Sequence, residues 1–140
     1  MAPVSRLFEL KPFRRPRLWV GLWCAAIIAV IVLSLVNLSG LPPVPEGGDK
    51  VEHFLAYALL SASAMQLFAK RRGCVAAAVL LILLGIGLEV AQGTLTATRM
   101  ADPRDALANT LGVLAGFATV LTPVSRLLLV IDARLKPARA

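Results

Sequence analysis

The chain has 140 residues, of which 58% are hydrophobic and 16% are charged, with a formal net charge of +7 at pH 7. So few charged residues exclude an ordinary soluble domain, and one membrane domain accounts for the whole length. The positive charge does not indicate a nucleic-acid partner, because the basic residues flank apolar runs and do not follow one helical face.

A basic flank comes before the first predicted membrane span. Residues 1–17 contain five Lys or Arg residues, one acid and three prolines, a composition typical of a cytoplasmic flank. Residues 18–38 then contain no charge, and they are long enough to cross a hydrocarbon core that needs about 20 residues. A secretory signal is the alternative, but its apolar region usually has only about 7–15 residues. We therefore expect an uncleaved transmembrane helix.

Three further spans are predicted after a loop rich in proline and glycine. They cover approximately residues 51–69, 74–91 and 105–121. A final apolar stretch, residues 127–131, is too short to cross the membrane again. We expect this short segment to lie along the cytoplasmic interface.

The distribution of charge predicts the topology. Basic residues collect in the first flank, in the turn at residues 70–72 and near the C-terminus, whereas six of the eight acids fall at the opposite ends of the spans. Because cytoplasmic loops carry an excess of Lys and Arg, both termini are predicted to be cytoplasmic. The expected fold is an all-α, four-transmembrane-helix bundle of the cytoplasmic (inner) membrane, crossing it several times. Its regions are a basic N-terminal flank, the transmembrane domain and a basic C-terminal tail, at residues 1–17, 18–121 and 122–140.

The second span carries polar residues at helical spacing. Asp49, His53 and Tyr57 recur every four residues, which places them on one side of a helix that begins by Asp49. Lys50 lies beside this stripe. One interpretation is structural: Asp49 caps the helix, and the other two side chains hydrogen-bond at the interface. The other interpretation is a functional site, and the spacing leaves both open.

Glu89 is the acid most deeply placed within a predicted span, and Gly85 and Gln92 share its helical face. A charged carboxylate in hydrocarbon costs roughly 3 kcal/mol on insertion scales, so Glu89 requires a partner or a proton. Lys50 and His53 are available on the predicted same side. An ion pair that locks the helices together and a functional carboxylate are the two interpretations.

The fourth span begins after a connection of mixed charge that contains Arg99, Asp102 and Arg104. Asp105 and Asn109 then share a helical face with two glycines. The residues predicted to pack helices closely are small ones, and they are Gly85, Ala108, Gly112 and Gly116. This packing is expected to draw Asp105 and Asn109 against the neighbouring helices.

These polar side chains are predicted to meet at one depth below the extracytoplasmic surface, as a site for a polar headgroup. Glu89 and His53 are the candidate catalytic residues. The candidate substrate-binding residues are Asp49, Lys50, Tyr57, Gln92, Arg99, Asp102, Asp105 and Asn109. No metal or other cofactor is expected, because one histidine and a few oxygens make a poor zinc site.

The ordered polar pattern from Asp49 to Asn109, followed by Gly112 and Gly116, resembles the VanZ-like membrane proteins over about half the chain. The resemblance implies a small helical integral membrane protein of bacteria, in a family whose founding member is associated with low-level resistance to the glycopeptide teicoplanin. The resemblance implies that all the candidate catalytic and substrate-binding residues named above are positions of the family motif. It implies no particular reaction.

Four functions are compatible with these residues. A binding module would hold the headgroup of a membrane lipid or a lipid-linked envelope precursor, with cations suited to phosphate and carboxylates suited to amines. An enzyme would use Glu89 or His53 in acid–base chemistry on a lipid-linked substrate. A small transporter and a purely structural partner are the remaining alternatives, and a homo-oligomer is compatible with each of them.

Overall fold

The computed structural model describes residues 7–36, 47–96 and 100–135. Within these ranges the regular secondary structure is helical, and the only β-type pairing is an isolated bridge between Leu10 and Phe68. The α-helices are α1 (Pro16–Leu35), α2 (Gly48–Leu67), α3 (Arg71–Leu95), α4 (Pro103–Ala118) and α5 (Leu127–Arg134). Two short 3-10 segments, Thr119–Leu121 and Pro123–Arg126, join α4 to α5. The expected all-α fold is therefore confirmed.

The helix ends follow local hydrogen bonding, and they differ from the predicted spans by a few residues. Asp102 caps α4, because its side chain accepts a hydrogen bond from the backbone N–H of Arg104 at 2.8 Å. Pro103 then occupies the first turn, where proline is well tolerated. Gly47, with φ of 80°, is the residue before α2. The interpretation of Asp49 as the cap of α2 is therefore wrong, and Asp49 lies in the first turn instead.

The apolar helices make the chain a membrane protein with two or three candidate spans in its described part. α1 and α3 are each long and apolar enough to cross a membrane. A third candidate span combines two helical segments, residues 103–121 and 123–134, which are bent by 81° at the break between them. α2 is not among the candidates, since the polar residues of its first two turns lower its hydropathy. The four-span bundle remains a prediction.

Side-chain contacts define two ends of the molecule. At the polar end α2 and α4 begin and α1 and α3 finish: Lys50 reaches Asp105 at 2.9 Å, and the amide of Gln92 donates to the carbonyl of Ser34 at 2.8 Å. At the basic end the ammonium of Lys11 donates to the carbonyl of Met65, near the end of α2, at 2.8 Å. α1 and α3 therefore run in one direction, and α2 and α4 run in the other.

Two glycines bring α4 into close contact with α2. A Cβ added to Gly112 would overlap the carbonyl oxygen of Phe54, and one added to Gly116 would overlap that of Ala58. The hydroxyl of Ser61 also donates to the carbonyl of Val113 at 2.8 Å. Because neither glycine has a side chain, the two backbones approach closely. This contact sets the first turns of α2 and α4 side by side at the polar end.

The basic end is closed by residues from both ends of the sequence. Asp132 of α5 is 1% exposed, and its carboxylate accepts hydrogen bonds from the Trp19 indole at 2.8 Å and from the Arg14 backbone N–H at 2.5 Å. Lys11 also donates to the carbonyl of Ser125 at 2.5 Å, and its burial lowers the pKa of the ammonium. α5 is thus held against the segment that precedes α1.

Candidate functional site

Lys50 is the centre of an ion network at the polar end. Its ammonium lies 3.1 Å from Asp49, 3.1 Å from Asp102 and 2.9 Å from Asp105. The Arg104 N–H, followed by the Lys50 ammonium, holds the pKa of the Asp102 carboxyl below its usual range. The Lys50 ammonium is thus already paired with three carboxylates, and it holds these acids close together.

His53 lies deeper than Lys50, between α3 and α4. Its Nδ1 is 3.0 Å from Oδ1 of Asn109, and because an amide oxygen only accepts hydrogen bonds, Nδ1 is the donor. In the neutral ring Nε2 then carries a free lone pair, and it lies 4.0 Å from Oδ2 of Asp105. Nδ1 is also 3.9 Å from Oε1 of Glu89. The imidazole thus stands between two carboxylates, with its tautomer set by Asn109.

Glu89 is buried and only half satisfied. The residue is 5% exposed, and its Oε2 accepts a long hydrogen bond of 3.4 Å from the backbone N–H of Asp102. Its Oε1 accepts no hydrogen bond from the described residues, and the hydroxyl of Tyr57 also lacks a partner among them. A buried polar atom without a partner is unfavourable and rare in native proteins. These two atoms therefore indicate a place prepared for a polar ligand.

Three of the polar side chains are close enough together to hold one ion. His53, Glu89 and Asp105 each offer a ligand atom, and these atoms lie within 4.8 Å of one another. The ring nitrogen and the carboxylate oxygens are ordinary ligands of divalent cations. The sequence predicted no metal because the available ligand types suit zinc poorly. The structure adds that three of these ligand atoms lie close together.

A cavity of about 220 Å³ adjoins the cluster between α1 and α2. Val30, Leu33 and Ala56 form its apolar part, while His53 and Tyr57 form its polar part. Ser34 and Glu52 complete the lining. The cavity therefore presents an apolar wall and a polar wall to the same space, as sites for amphipathic ligands do.

The remaining candidate residues occupy different places. Gln92 is buried, but its amide is bound to Ser34 of α1 and not to the acidic cluster. Asp49 is at the exposed rim. Arg99 lies outside the described residues. Gly85 packs tightly under the site, since a Cβ there would lie 3.1 Å from Asn109 and 3.2 Å from the Tyr57 ring. Ala108 is half-buried in α4.

Sequence reasoning missed the contribution of α1 to the site. Ser34, Val30 and Leu33 line the cavity, whereas the sequence predicts α1 only as a transmembrane helix. Ser34 carried a signal, because it is a polar residue near the C-terminal end of a helix that is apolar after Arg17, at the depth of the predicted cluster. Val30 and Leu33 carried none, since aliphatic residues occur throughout that helix.

An all-helical membrane protein with a histidine and several carboxylates gathered at one end is the class that the fold and the site define. The family model described as VanZ/LLP1 matches residues 2–127. This chain belongs to the VanZ-like family, and the resemblance noted from the motif between Asp49 and Gly116 is confirmed over a longer stretch. Neither a curated protein nor a solved structure matches the chain.

Proposed function

We propose that this protein binds the headgroup of a membrane lipid or of a lipid-linked envelope precursor at its polar end. By holding that molecule it affects envelope properties or glycopeptide susceptibility. The cavity between α1 and α2 is the observation that carries the proposal, because it joins an apolar wall to the His53 cluster. A lipid needs both surfaces, one for the start of its acyl chains and one for its headgroup.

The apolar wall offers a lateral route to the site. α1 contains no buried residue, and Leu33, which lines the cavity, is 54% exposed. In a bilayer the exposed face of α1 would be surrounded by acyl chains. A lipid entering between α1 and α2 would keep its chains in hydrocarbon while its headgroup reaches His53 and Tyr57.

The charges of the site favour a headgroup that carries a cation. Asp49, Asp102 and Asp105 surround Lys50, and Glu89 lies buried behind them. Even when Arg104 is counted with Lys50, the described residues at this end include more acids than bases. A zwitterionic headgroup would place its amine against the carboxylates and its phosphate nearer Arg104.

The proposal includes a topology. The chain would cross the cytoplasmic membrane four times, with both termini inside and the polar end near the outer surface. The bases at the basic end, the alternating helix directions and the acids at the polar end support this arrangement. Cysteine labelling from outside the cell tests it: Glu52→Cys should react with an impermeant reagent, and Arg72→Cys should not.

The binding proposal is tested by measuring which lipids stay with the protein in mild detergent. The purified wild-type protein should retain one lipid class in excess of its share of the membrane, as read by mass spectrometry. Ala56→Phe, which fills the cavity, should lower that retention several-fold. Ala25→Phe places the same ring on the exposed face of α1 and should leave it unchanged. Unselective retention in wild type, or equal retention in both variants, would contradict the proposal.

A second candidate function is an enzyme that acts on a lipid-linked substrate. The proximity of Glu89 and His53, at 3.9 Å, favours it, because a carboxylate and an imidazole can divide the roles of general base and general acid. Product formation from a lipid-linked substrate in proteoliposomes, abolished by Glu89→Gln and by His53→Gln, would support catalysis. Selective lipid retention without any turnover would favour the binding module.

A further inference from the structure

We propose that His53, Glu89 and Asp105 form a binding site for one divalent first-row metal ion, such as Mn²⁺ or Zn²⁺. The three residues come from α2, α3 and α4, so the ion would join the helices at the polar end. This inference deepens the proposed function and rests on it only for the role of the ion, since the metal site is defined by the protein's own ligands.

The distances fit a shared ion. Two ligands at about 2.1 Å from one ion can be at most about 4.2 Å apart, when they lie on opposite sides of it. Nε2 of His53, the proposed ligand atom, is 4.0 Å from Oδ2 of Asp105. Oε1 of Glu89 approaches the same ring, at 3.9 Å from the neighbouring Nδ1. The complete set of three ligand atoms lies within 4.8 Å. Because 4.8 Å exceeds that maximum, side chains must rotate to bring all three ligand atoms around one ion.

The histidine is prepared for coordination through Nε2. Asn109 accepts the Nδ1 proton at 3.0 Å, which leaves the Nε2 lone pair directed toward Asp105 at 4.0 Å. Histidine ligands of metals commonly donate their second ring N–H to such an acceptor, which fixes the tautomer and the ring orientation. Asn109 itself is 2% exposed and is therefore held firmly in place.

Glu89 supplies an observation that is independent of the grouping of acids. Its side chain is 6% exposed, and its Oε1 faces the imidazole without a hydrogen bond from any residue that the structure describes. The other oxygen is already engaged by the N–H of Asp102. A buried carboxylate oxygen that lies beside a histidine and has no donor is available as a metal ligand, and a buried charge without a partner is otherwise unfavourable.

The ligand set indicates the kind of ion. One imidazole nitrogen with two carboxylates suits Mn²⁺ or Zn²⁺ better than Ca²⁺ or Mg²⁺, which prefer oxygen ligands alone. Asp105 can serve both neighbours, because it offers Oδ1 to Lys50 at 2.9 Å and Oδ2 to His53. Three protein ligands leave coordination positions open for water or for an oxygen of a bound molecule.

Those open positions connect the ion to the proposed headgroup. The acids of the polar end would repel a phosphate, while a divalent ion among them would attract one. An ion held by His53, Glu89 and Asp105 would thus allow an acidic site to bind a phosphate-bearing lipid next to the cavity. The amine-directed arrangement described above would need no metal.

Mn²⁺ alone is the first probe, because its electron paramagnetic resonance signal separates free from bound ion. The full-length protein is purified in an uncharged detergent, treated with a chelator, desalted and titrated with Mn²⁺. The expected result is saturable binding of one ion per chain, with displacement by Zn²⁺. Absence of saturable binding by the folded wild-type protein would overturn the proposal.

Variants locate the ion. His53→Gln and Glu89→Gln should abolish saturable Mn²⁺ binding, and Asn109→Ala should weaken it by about 10- to 100-fold through loss of ring orientation. Glu9→Gln is the matched control, since Glu9 is an exposed acid at the basic end paired with Lys70. Equal binding by wild type and by all folded variants would overturn the site. If Glu89→Gln does not fold, His53→Gln with Asn109→Ala decides.

Lipid retention measured with and without chelator separates this inference from the proposed function. Saturable Mn²⁺ binding without selective lipid retention would support the ion site and contradict the lipid proposal. Selective lipid retention by a protein that binds no Mn²⁺ would support the lipid proposal and contradict the ion site. If the protein retains a phosphate-bearing lipid only when Mn²⁺ is present, the result would support both the ion site and the lipid proposal. If the protein binds Mn²⁺ but its lipid retention does not change with chelator, the result would overturn the bridging role of the ion.

Discussion

Among the residues that the structure describes, one carboxylate residue at each end is at least 95% buried, and the two are satisfied in different ways. At the basic end both oxygens of Asp132 accept short hydrogen bonds, from Trp19 and from Arg14. At the polar end Glu89 has one long hydrogen bond, and its other oxygen is without a donor in the described ranges. Both residues are at least 95% buried, so burial does not distinguish them.

The difference lies in what the surrounding protein provides. Asp132 connects α5 to the segment before α1, and each of its carboxylate oxygens accepts a hydrogen bond. That is the behaviour of a structural group. Glu89 keeps an acceptor beside His53, and a buried acceptor without a donor calls for an explanation such as a catalytic role or a bound ion. Satisfaction of hydrogen bonds, more than depth, therefore separates the two acids.

The largest expected effect is on stability at the basic end. Asp132→Ala would remove the acceptor of two partly buried hydrogen bonds, those from the Trp19 indole and from the Arg14 N–H. The yield of folded protein should fall several-fold, as measured by size-exclusion chromatography of a fluorescent fusion. Glu9→Ala removes an exposed acid from the same end and should change little. Equal losses in the two variants would remove the distinction drawn for Asp132.

Glu89→Gln should have the opposite effect on stability. It removes a buried charge that lies within 4.8 Å of the Asp105 carboxylate, and it sacrifices only one long hydrogen bond. In metal-free buffer the melting temperature should rise by roughly 4 °C, which corresponds to about 1 kcal/mol for a chain of this size. A large fall in melting temperature would mean that Glu89 is a structural acid like Asp132.

Gln92→Leu tests whether the stability effect of a buried polar side chain depends more on its hydrogen bonding than on its location at the polar end. Gln92 belongs to the polar end, but its amide donates a hydrogen bond to the Ser34 carbonyl at 2.8 Å. Loss of this bond between α1 and α3 should lower the stability by about 1 kcal/mol, as read from thermal unfolding. An increase in stability, as expected for Glu89→Gln, would show that position at the polar end decides the sign.

The smallest effect is a pH dependence at the rim of the site. The Arg104 N–H and then the Lys50 ammonium hold the Asp102 pKa below its ordinary value of 3.8. The stability that Asp102 contributes is therefore fully present above pH 3.8 and is lost as pH falls through the lower folded-state pKa. Melting temperatures measured from pH 7 downward should decline less in Asp102→Asn than in wild type. Parallel declines would exclude a contribution from Asp102.

Helix positions could be read from the sequence, whereas their ends could not. Hydropathy located α1 and α3, because continuous apolar residues are a direct signature of a span. It missed the first turn of α3, since Arg71 and Arg72 are helical without being apolar. Backbone hydrogen bonds, and not contact with lipid, determine where a helix ends.

The relations among site residues were only partly predictable. Helical spacing places Asp105 and Asn109 on one face of α4, and the structure sets that face against His53. Spacing also placed Gln92 with Glu89, but Gln92 turns to a neighbour, Ser34, that only the packing of α1 reveals. Whether a buried oxygen has a donor depends on side chains from several helices, so the state of Glu89 could not be derived from any one of them.

The close contact at Gly112 and Gly116 has an electrostatic consequence. Because α2 and α4 lie side by side in the same direction, their first turns end at the same level, and each helix start carries a partial positive charge of about half an elementary charge. Two such dipoles converge where Asp102, Asp105 and Glu89 are gathered. A pair of glycines, which bear no charge, thus helps this protein to keep a group of anions together at the end of an apolar bundle.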